Sequence, residues 1–263
     1  MSINFNLGYT NFSSAPLVMG SAPVVTPTTD VSSFTSTQIA ALSNSQVASL
    51  TSAQVRAITT SALEGITVTQ MQALTTRNVS ALTTAQVAAL STRQLNALKS
   101  FQLSALSSDQ VNALTTAQLA GWRSSQVASL NTATVAAIAT DVLVEFSTGQ
   151  IQALTTDQMM ALISEQISAL ETQQVSSLKA KQIKAIETRD IAGFDTAQVK
   201  ALTATQVTAL TTEQVAAFSS TQLGAMDDAD LAAMNVSQMA ALKSSQVGGL
   251  STSQIAALKP GQL

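Results

Sequence analysis

The chain contains neither cysteine nor histidine. Without cysteine there is no disulfide, no thiolate nucleophile and no zinc–cysteine site. Without histidine, the Ser-His-Asp and Cys-His catalytic sets and histidine metal sites are excluded too. Charge is scarce: Asp, Glu, Lys and Arg make up 10% of residues, against the ~25% usual in soluble domains. The net charge is −3 and no basic stripe is present, so a phosphate backbone finds nothing to grip and no nucleic-acid partner is expected. Aromatics are 3% and glycines number only 10, so any core is aliphatic and glycine-rich loops are absent. No apolar run approaches the ~20 residues of a membrane-spanning helix. The first basic residue is Arg56. The start therefore lacks the positive region of a Sec-type signal peptide, and export would need a route that does not read one.

What fills the chain instead is aliphatic residues, hydroxyls and amides on a period of eight. The stretch TTAQVAALSTRQLNAL, residues 83–98, is two near copies of one octad. With Thr35 as position 1, the frame runs through 28 octads to Leu258, then a broken one, KPGQL, at 259–263. Position 5 is Val, Ile, Leu or Met in all 28, and position 8 is large and apolar in all 28. Position 7 is Ala, Ser or Gly in 27, position 4 is Gln in 22, and position 1 is Ser, Thr, Asn or Asp in 20.

A continuous α-helix is excluded by arithmetic. At ~100° per residue, eight residues overshoot two turns by ~80°, so no apolar face persists. A short helix per octad fits. Ser or Thr at position 1 with Gln at position 4 has the capping-box spacing, and positions 5 and 8 share one face. Pro260 falls at position 2 of the closing fragment, the first helical position, where proline is favoured. The rival is a β-solenoid, which Val, Thr and Ile would suit. The shortage of glycine and the recurrent Ala at position 7 argue against it. One octad cannot fold alone: two buried side chains contribute ~3–6 kcal/mol, against ~12 kcal/mol to order eight residues. The octads must stack, with positions 5 and 8 inward. The expected fold is an all-α solenoid of octapeptide short-helix repeats over residues 35–263, preceded by a non-repetitive segment, 1–34. The number of octads per coil and the hand stay open.

Residues 1–34 hold three of the four prolines and one charged residue, Asp30. Ile3, Phe5, Leu7 and Tyr9 alternate with polar or small residues, the pattern of a half-buried strand. The segment reads as a leader and linker, or as a cap or inter-subunit docking element. At the other end the array stops in mid-octad at Leu263 without a polar cap, which leaves two readings: a cut from a longer chain, or an end that meets a partner.

Candidate chemistry is thin. Asp227, Asp228 and Asp230 form the densest acidic group. The frame puts Asp227 at the cap and the other two in the first turn, where negative charge suits the helix dipole; calcium binding is the alternative. The charge-rich stretch of Glu171, Lys179, Lys181, Lys184, Glu187, Arg189, Asp190 and Asp195 reads as a solvated face. Octads 131–146 lose Gln twice, at Thr134 and Val142, and carry Glu145 at position 7, which points to repeat drift or to a local kink.

LTTEQVAAF, residues 210–218, resembles the first helix of the repeats in TAL effectors. The likeness covers about nine residues per unit, and the second helix and base-reading loop of that repeat are missing, so no DNA-reading residue is carried over. Over residues 35–263 the chain is similar to bacterial secreted and surface proteins with long LTTxQVxAL arrays. That resemblance implies an extracellular or cell-surface location, with the cytoplasm not excluded.

These readings converge on a non-enzymatic structural protein: a rod or filament in an extracellular fibre, sheath or adhesin stalk, with no cofactor and no metal. End-to-end self-association would use Ile3, Phe5, Leu7, Tyr9, Leu258 and Leu263. The alternative is a secreted effector or binding scaffold whose solenoid surface engages a protein or polysaccharide; an ice- or polysaccharide-facing Ser/Thr array is a further one.

Overall fold

A computed structural model describes residues 23–262. Each octad forms one helix of four to six residues, from α1 (Ser36–Ala41) to α28 (Thr252–Ala257), and a 3-10 turn, Pro260–Gln262, follows. No strand occurs among the described residues.

The octad explains its own geometry. At α7 (Thr84–Ala89), the Thr83 hydroxyl accepts the Gln86 backbone N–H at 3.1 Å and the Gln86 side-chain oxygen accepts the Thr83 N–H at 2.8 Å. Two of the orphan donors of the first turn are thereby satisfied. The helix stops at Leu90, which is extended (φ −65°, ψ 139°), as was Thr83 before it (φ −74°, ψ 160°). Two consecutive extended residues, positions 8 and 1, make each corner. Any L-residue adopts that conformation, so the corners need no left-handed glycine, and none of the described glycines has a positive φ. The low glycine content follows.

Each helix packs on the helix three octads later, α1 on α4 (Thr60–Leu63) and α2 (Asn44–Ser49) on α5 (Val68–Ala73), and so along the array. Three octads therefore make one coil, and the helices form three columns, each an outer face of the solenoid. At ~8–10 Å between packed helices, the nine coils extend on the order of 80 Å.

Positions 5 and 8 fill a single continuous core: Val87, Leu95, Val111, Ile151, Ile183 and Val207 are 0% exposed. Position 7 is where coils touch. A Cβ on Gly65, Gly121, Gly193 or Gly249 would run into Ser36, Thr92, Ser164 or Ser220 respectively, each 29 residues earlier at position 2 of the preceding coil. At these four octads the preceding coil leaves no room for a Cβ at position 7, whereas the octad of Glu145 admits a side chain that turns to solvent.

Residues 23–34 lie across the first coil. Val31 is 1% exposed, and Val25 and Phe34 pack beside it. Gln54 donates to the Thr26 and Thr29 carbonyls at 2.7 and 3.0 Å, and Gln46 to that of Pro23 at 2.7 Å. The alternating residues Ile3, Phe5, Leu7 and Tyr9 lie outside the described residues, as does Leu263.

Candidate functional site

The most developed polar constellation in the molecule is a ladder of position-4 glutamines. Gln70 shows its chemistry. Its Oε1 accepts the Thr67 N–H at 2.8 Å, and its Nε2 donates to the carbonyls of Ile39 (2.8 Å) and Leu42 (2.7 Å) on the preceding coil. Those two acceptors lie 31 and 28 residues back, and they are position 5 and position 8 carbonyls. The position 8 carbonyl follows the last helical turn and finds no partner within its own octad. The same pair of bonds recurs at Gln86, Gln102, Gln150, Gln182, Gln206 and Gln238, all 2–3% exposed except Gln102 at 0% and Gln238 at 1%. One side chain therefore caps its own helix and ties it to the coil before.

The exceptions define the requirement. Asn78, one methylene shorter, reaches only the Leu50 carbonyl, at 2.7 Å. Thr134 donates its hydroxyl to Leu106 at 2.9 Å. Val142 and Ala62 supply no donor. Octad 139–146 nevertheless stays in the coil, with Phe146 2% exposed, and Glu145 points into solvent. The inter-coil half of the glutamine's work is not visible in the capping-box reading. One signal could have found it: position 4 is never Glu, although Glu serves a capping box as well as Gln. Only the amide has N–H groups to spare.

Two aspartates stand in the ladder. Asp190 does not join a solvated face as its neighbours do; it is 3% exposed. Its Oδ1 accepts the Ser164 hydroxyl at 2.7 Å, while Oδ2 lies 3.5 Å from Arg189 Nε and has no hydrogen bond. The burial follows from position 4, which always faces the preceding coil. Asp230 is half-buried, and burial first, then the nearby Asp227 charge, raises its carboxyl above the ordinary value of 3.8. Asp227 occupies the cap position of α25 (Asp228–Leu231) but makes no cap hydrogen bond. It lies instead 4.0 Å from Lys200. Asp228 accepts from Ser253 Oγ at 3.4 Å. These residues border an open groove of about 660 Å³ with Thr196, Gly224 and Ser251. No three acidic side chains among the described residues converge as metal ligands would.

In the last three octads the position 5 side chains lose their cover: Val247 is 45% and Ile255 42% exposed, and Leu258 is half-buried against the core. No helix of the described residues is long and apolar enough to cross a membrane.

A family model of the ALTTAQ repeat matches residues 79–116, 135–172, 183–220 and 223–260. The chain belongs to the ALTTAQ repeat family. The four stretches cover more than half of it, and each begins at position 5 of an octad. The frame of this ALTTAQ array is therefore the octad and not the three-octad coil. Among curated proteins none matches the chain.

Proposed function

We propose that this ALTTAQ array is a non-enzymatic structural element, a stiff rod whose length is set by octad number, used outside the cell in a fibre, sheath or stalk. The observation that carries the reading is the glutamine ladder. Most buried polar side chains are position-4 amides bonded to backbone, so the polar chemistry of the interior is spent on holding coils together. The outer faces are mostly Ser, Thr and Ala. An array with no cysteine has no redox liability in an oxidising exterior.

The rod assembles end to end in this reading. In this reading the exposed Val247 and Ile255, with the half-buried Leu258, form an apolar face, and the stretch of a neighbouring chain that carries Ile3, Phe5, Leu7 and Tyr9 docks there. Unlike ends joining head to tail propagate as a filament. Light scattering and negative-stain imaging of the wild type and of the double variant Val247→Asp/Ile255→Asp test it. Filaments in the wild type and none in the variant support the proposal; a wild type that stays monomeric at high concentration overturns the assembly.

A second reading, a scaffold that grips a protein or polysaccharide, draws on one observation. Lys184 stands between two surface grooves of about 490 Å³ each. Pull-down on defined glycans and acidic polymers separates the two.

A further inference from the structure

Three octads per coil fix which octads share a face. One face stacks α16 (Thr156–Ala161), α19 (Ala180–Ala185), α22 (Ala204–Ala209), α25 and α28. Apart from Asp157 on the octad of α16, its charges fall on two octads placed evenly about α22, an arrangement that the linear sequence hides. The octad of α19 carries Lys179, Lys181 and Lys184, all exposed, three of the chain's 12 cations. The octad of α25 carries Asp227, Asp228 and Asp230, three of its 15 anions. Between them the octad of α22 presents Thr203, Ala204, Thr205 and Thr208, all exposed, small and uncharged. No carboxylate of the described residues pairs with any of the three lysines. The ion pairs present are those of Arg189 with Glu187 and Asp190 and of Lys200 with Asp227.

We infer that this face is a lateral docking surface for a second copy of the chain, which packs antiparallel across a two-fold axis through α22. A rotation of 180° about an axis in the plane of the contact, through α22 and across the rod, sets α19 against α25 of the second copy, and α25 against its α19. The three lysines then meet the exposed Asp227 and the half-buried Asp228, twice. The neutral α22 octads meet each other on the axis, where small side chains let the faces approach. The contact is isologous and closes at two.

Charge geometry selects this partner over others. The two patches are two coils apart, on the order of 18 Å, well beyond the ~8 Å Debye length at physiological salt. Each therefore attracts its own counter-charge. A polyanion would suit the lysines and be repelled by the aspartates, whereas a second copy satisfies both together. The five octads from α16 to α28 make a contact roughly 45 Å by 12 Å, on the order of 500 Å² per partner. That area is at the small end of specific interfaces, so the dimer is weak, and its charge pairs make it salt-sensitive. It goes beyond the end-to-end reading, because it uses a side of the rod and stops at two.

Sedimentation of the full chain decides it, at about 50 mM and about 500 mM NaCl, with circular dichroism to confirm that each variant is folded. The wild type should dimerise at low salt, with a dissociation constant that rises about tenfold or more at high salt. Lys181→Glu/Lys184→Glu alone, or Asp227→Lys/Asp228→Lys alone, should be monomeric. The four substitutions combined should dimerise again. Val247→Asp, in an octad that stacks on α24 and not on this face, should leave the dimer unchanged, which separates it from end-to-end assembly. A wild type that is monomeric at low salt overturns the inference, as does a combined variant that stays monomeric.

Discussion

Gln206 tests the ladder most directly, because each of its bonds is defined. Its Nε2 donates to Val175 O at 2.8 Å and Leu178 O at 2.7 Å, and its Oε1 accepts Thr203 N–H at 2.8 Å. Gln206→Leu nearly keeps the volume and removes all three, together with the longer bonds to the Ser176 carbonyl (3.3 Å) and from the Thr203 hydroxyl (3.2 Å). The Val175 carbonyl retains the Leu178 N–H at 3.1 Å. The Leu178 carbonyl retains nothing, and the Thr203 N–H must turn to solvent. With ~1–3 kcal/mol for each buried group left without a partner, the expected loss is about 2–4 kcal/mol. Gln72→Leu is the control: Gln72 is an exposed position 6 residue, and its loss should cost under ~0.5 kcal/mol.

Gln206→Glu isolates the donor. The carboxylate keeps the acceptor for Thr203 but turns a charge toward two carbonyl oxygens. At neutral pH it should be worse than Leu, by the logic of an unpaired buried charge. Burial raises such a carboxyl. The folded chain then binds the proton more tightly than the unfolded chain, so stability rises as pH falls through the folded pKa. Near pH ~4 the acid donates one hydrogen bond and should be better than Leu. Urea unfolding followed by circular dichroism at both pH values reads the order of the three chains. If Gln206→Leu costs no more than Gln72→Leu, or if Leu and Glu keep the same order at both pH values, the inter-coil amide bond is not what joins the coils.

The converse substitution is Asp230→Gln, which supplies the missing donor to the Val199 and Leu202 carbonyls and should stabilise by about 1–2 kcal/mol at neutral pH. Because the Asp230 carboxyl is raised above 3.8 by burial and by Asp227, the wild type regains stability as pH falls, so the advantage should shrink toward acid in the same unfolding assay. Two glycines separate spacing from freedom. Gly65→Ala drives a Cβ into the Ser36 carbonyl and should cost about 1–3 kcal/mol. Gly149→Ala meets nothing nearer than Ser124 Oγ at 3.8 Å and should gain about 0.4–1 kcal/mol from the unfolded state; thermal melts of the pair check both.

Within one octad the sequence is nearly transparent, since the cap, the small position 7 and the inward 5 and 8 are local consequences of residue type. What spans coils is harder to read. The coil count has a trace: the position 8 aromatics Trp122, Phe146, Phe194 and Phe218 are separated by 24, 48 and 24 residues, so all four stand in one column, each at most 4% exposed. Asp190 reads as surface because its neighbours are charged, and only position 4 reveals that it is buried. Asp227 reads as a cap because it is in the right place, yet its side chain lies 4.0 Å from Lys200. The charge on each face is invisible until the number of octads per coil is known.

That last dependence makes the coil count testable by deletion. The ladder joins each octad to the one four units back, and every unit offers the same acceptors, so removing one octad re-forms the ladder across the join. The faces do not re-form. Deleting residues 211–218 brings the Asp227–Asp230 octad forward by one unit, off the column of α19 and onto the neighbouring face. Deleting residues 83–90 removes the same number of residues upstream of both charged octads, so they move together and still share a face. Both deletions should keep a helical spectrum and lose similar stability. Only the second should keep the salt-sensitive dimer in sedimentation at low salt. If both keep it, or both lose it, the three-octad register does not organise this surface, and the lysine and aspartate octads are unrelated features of a uniform rod.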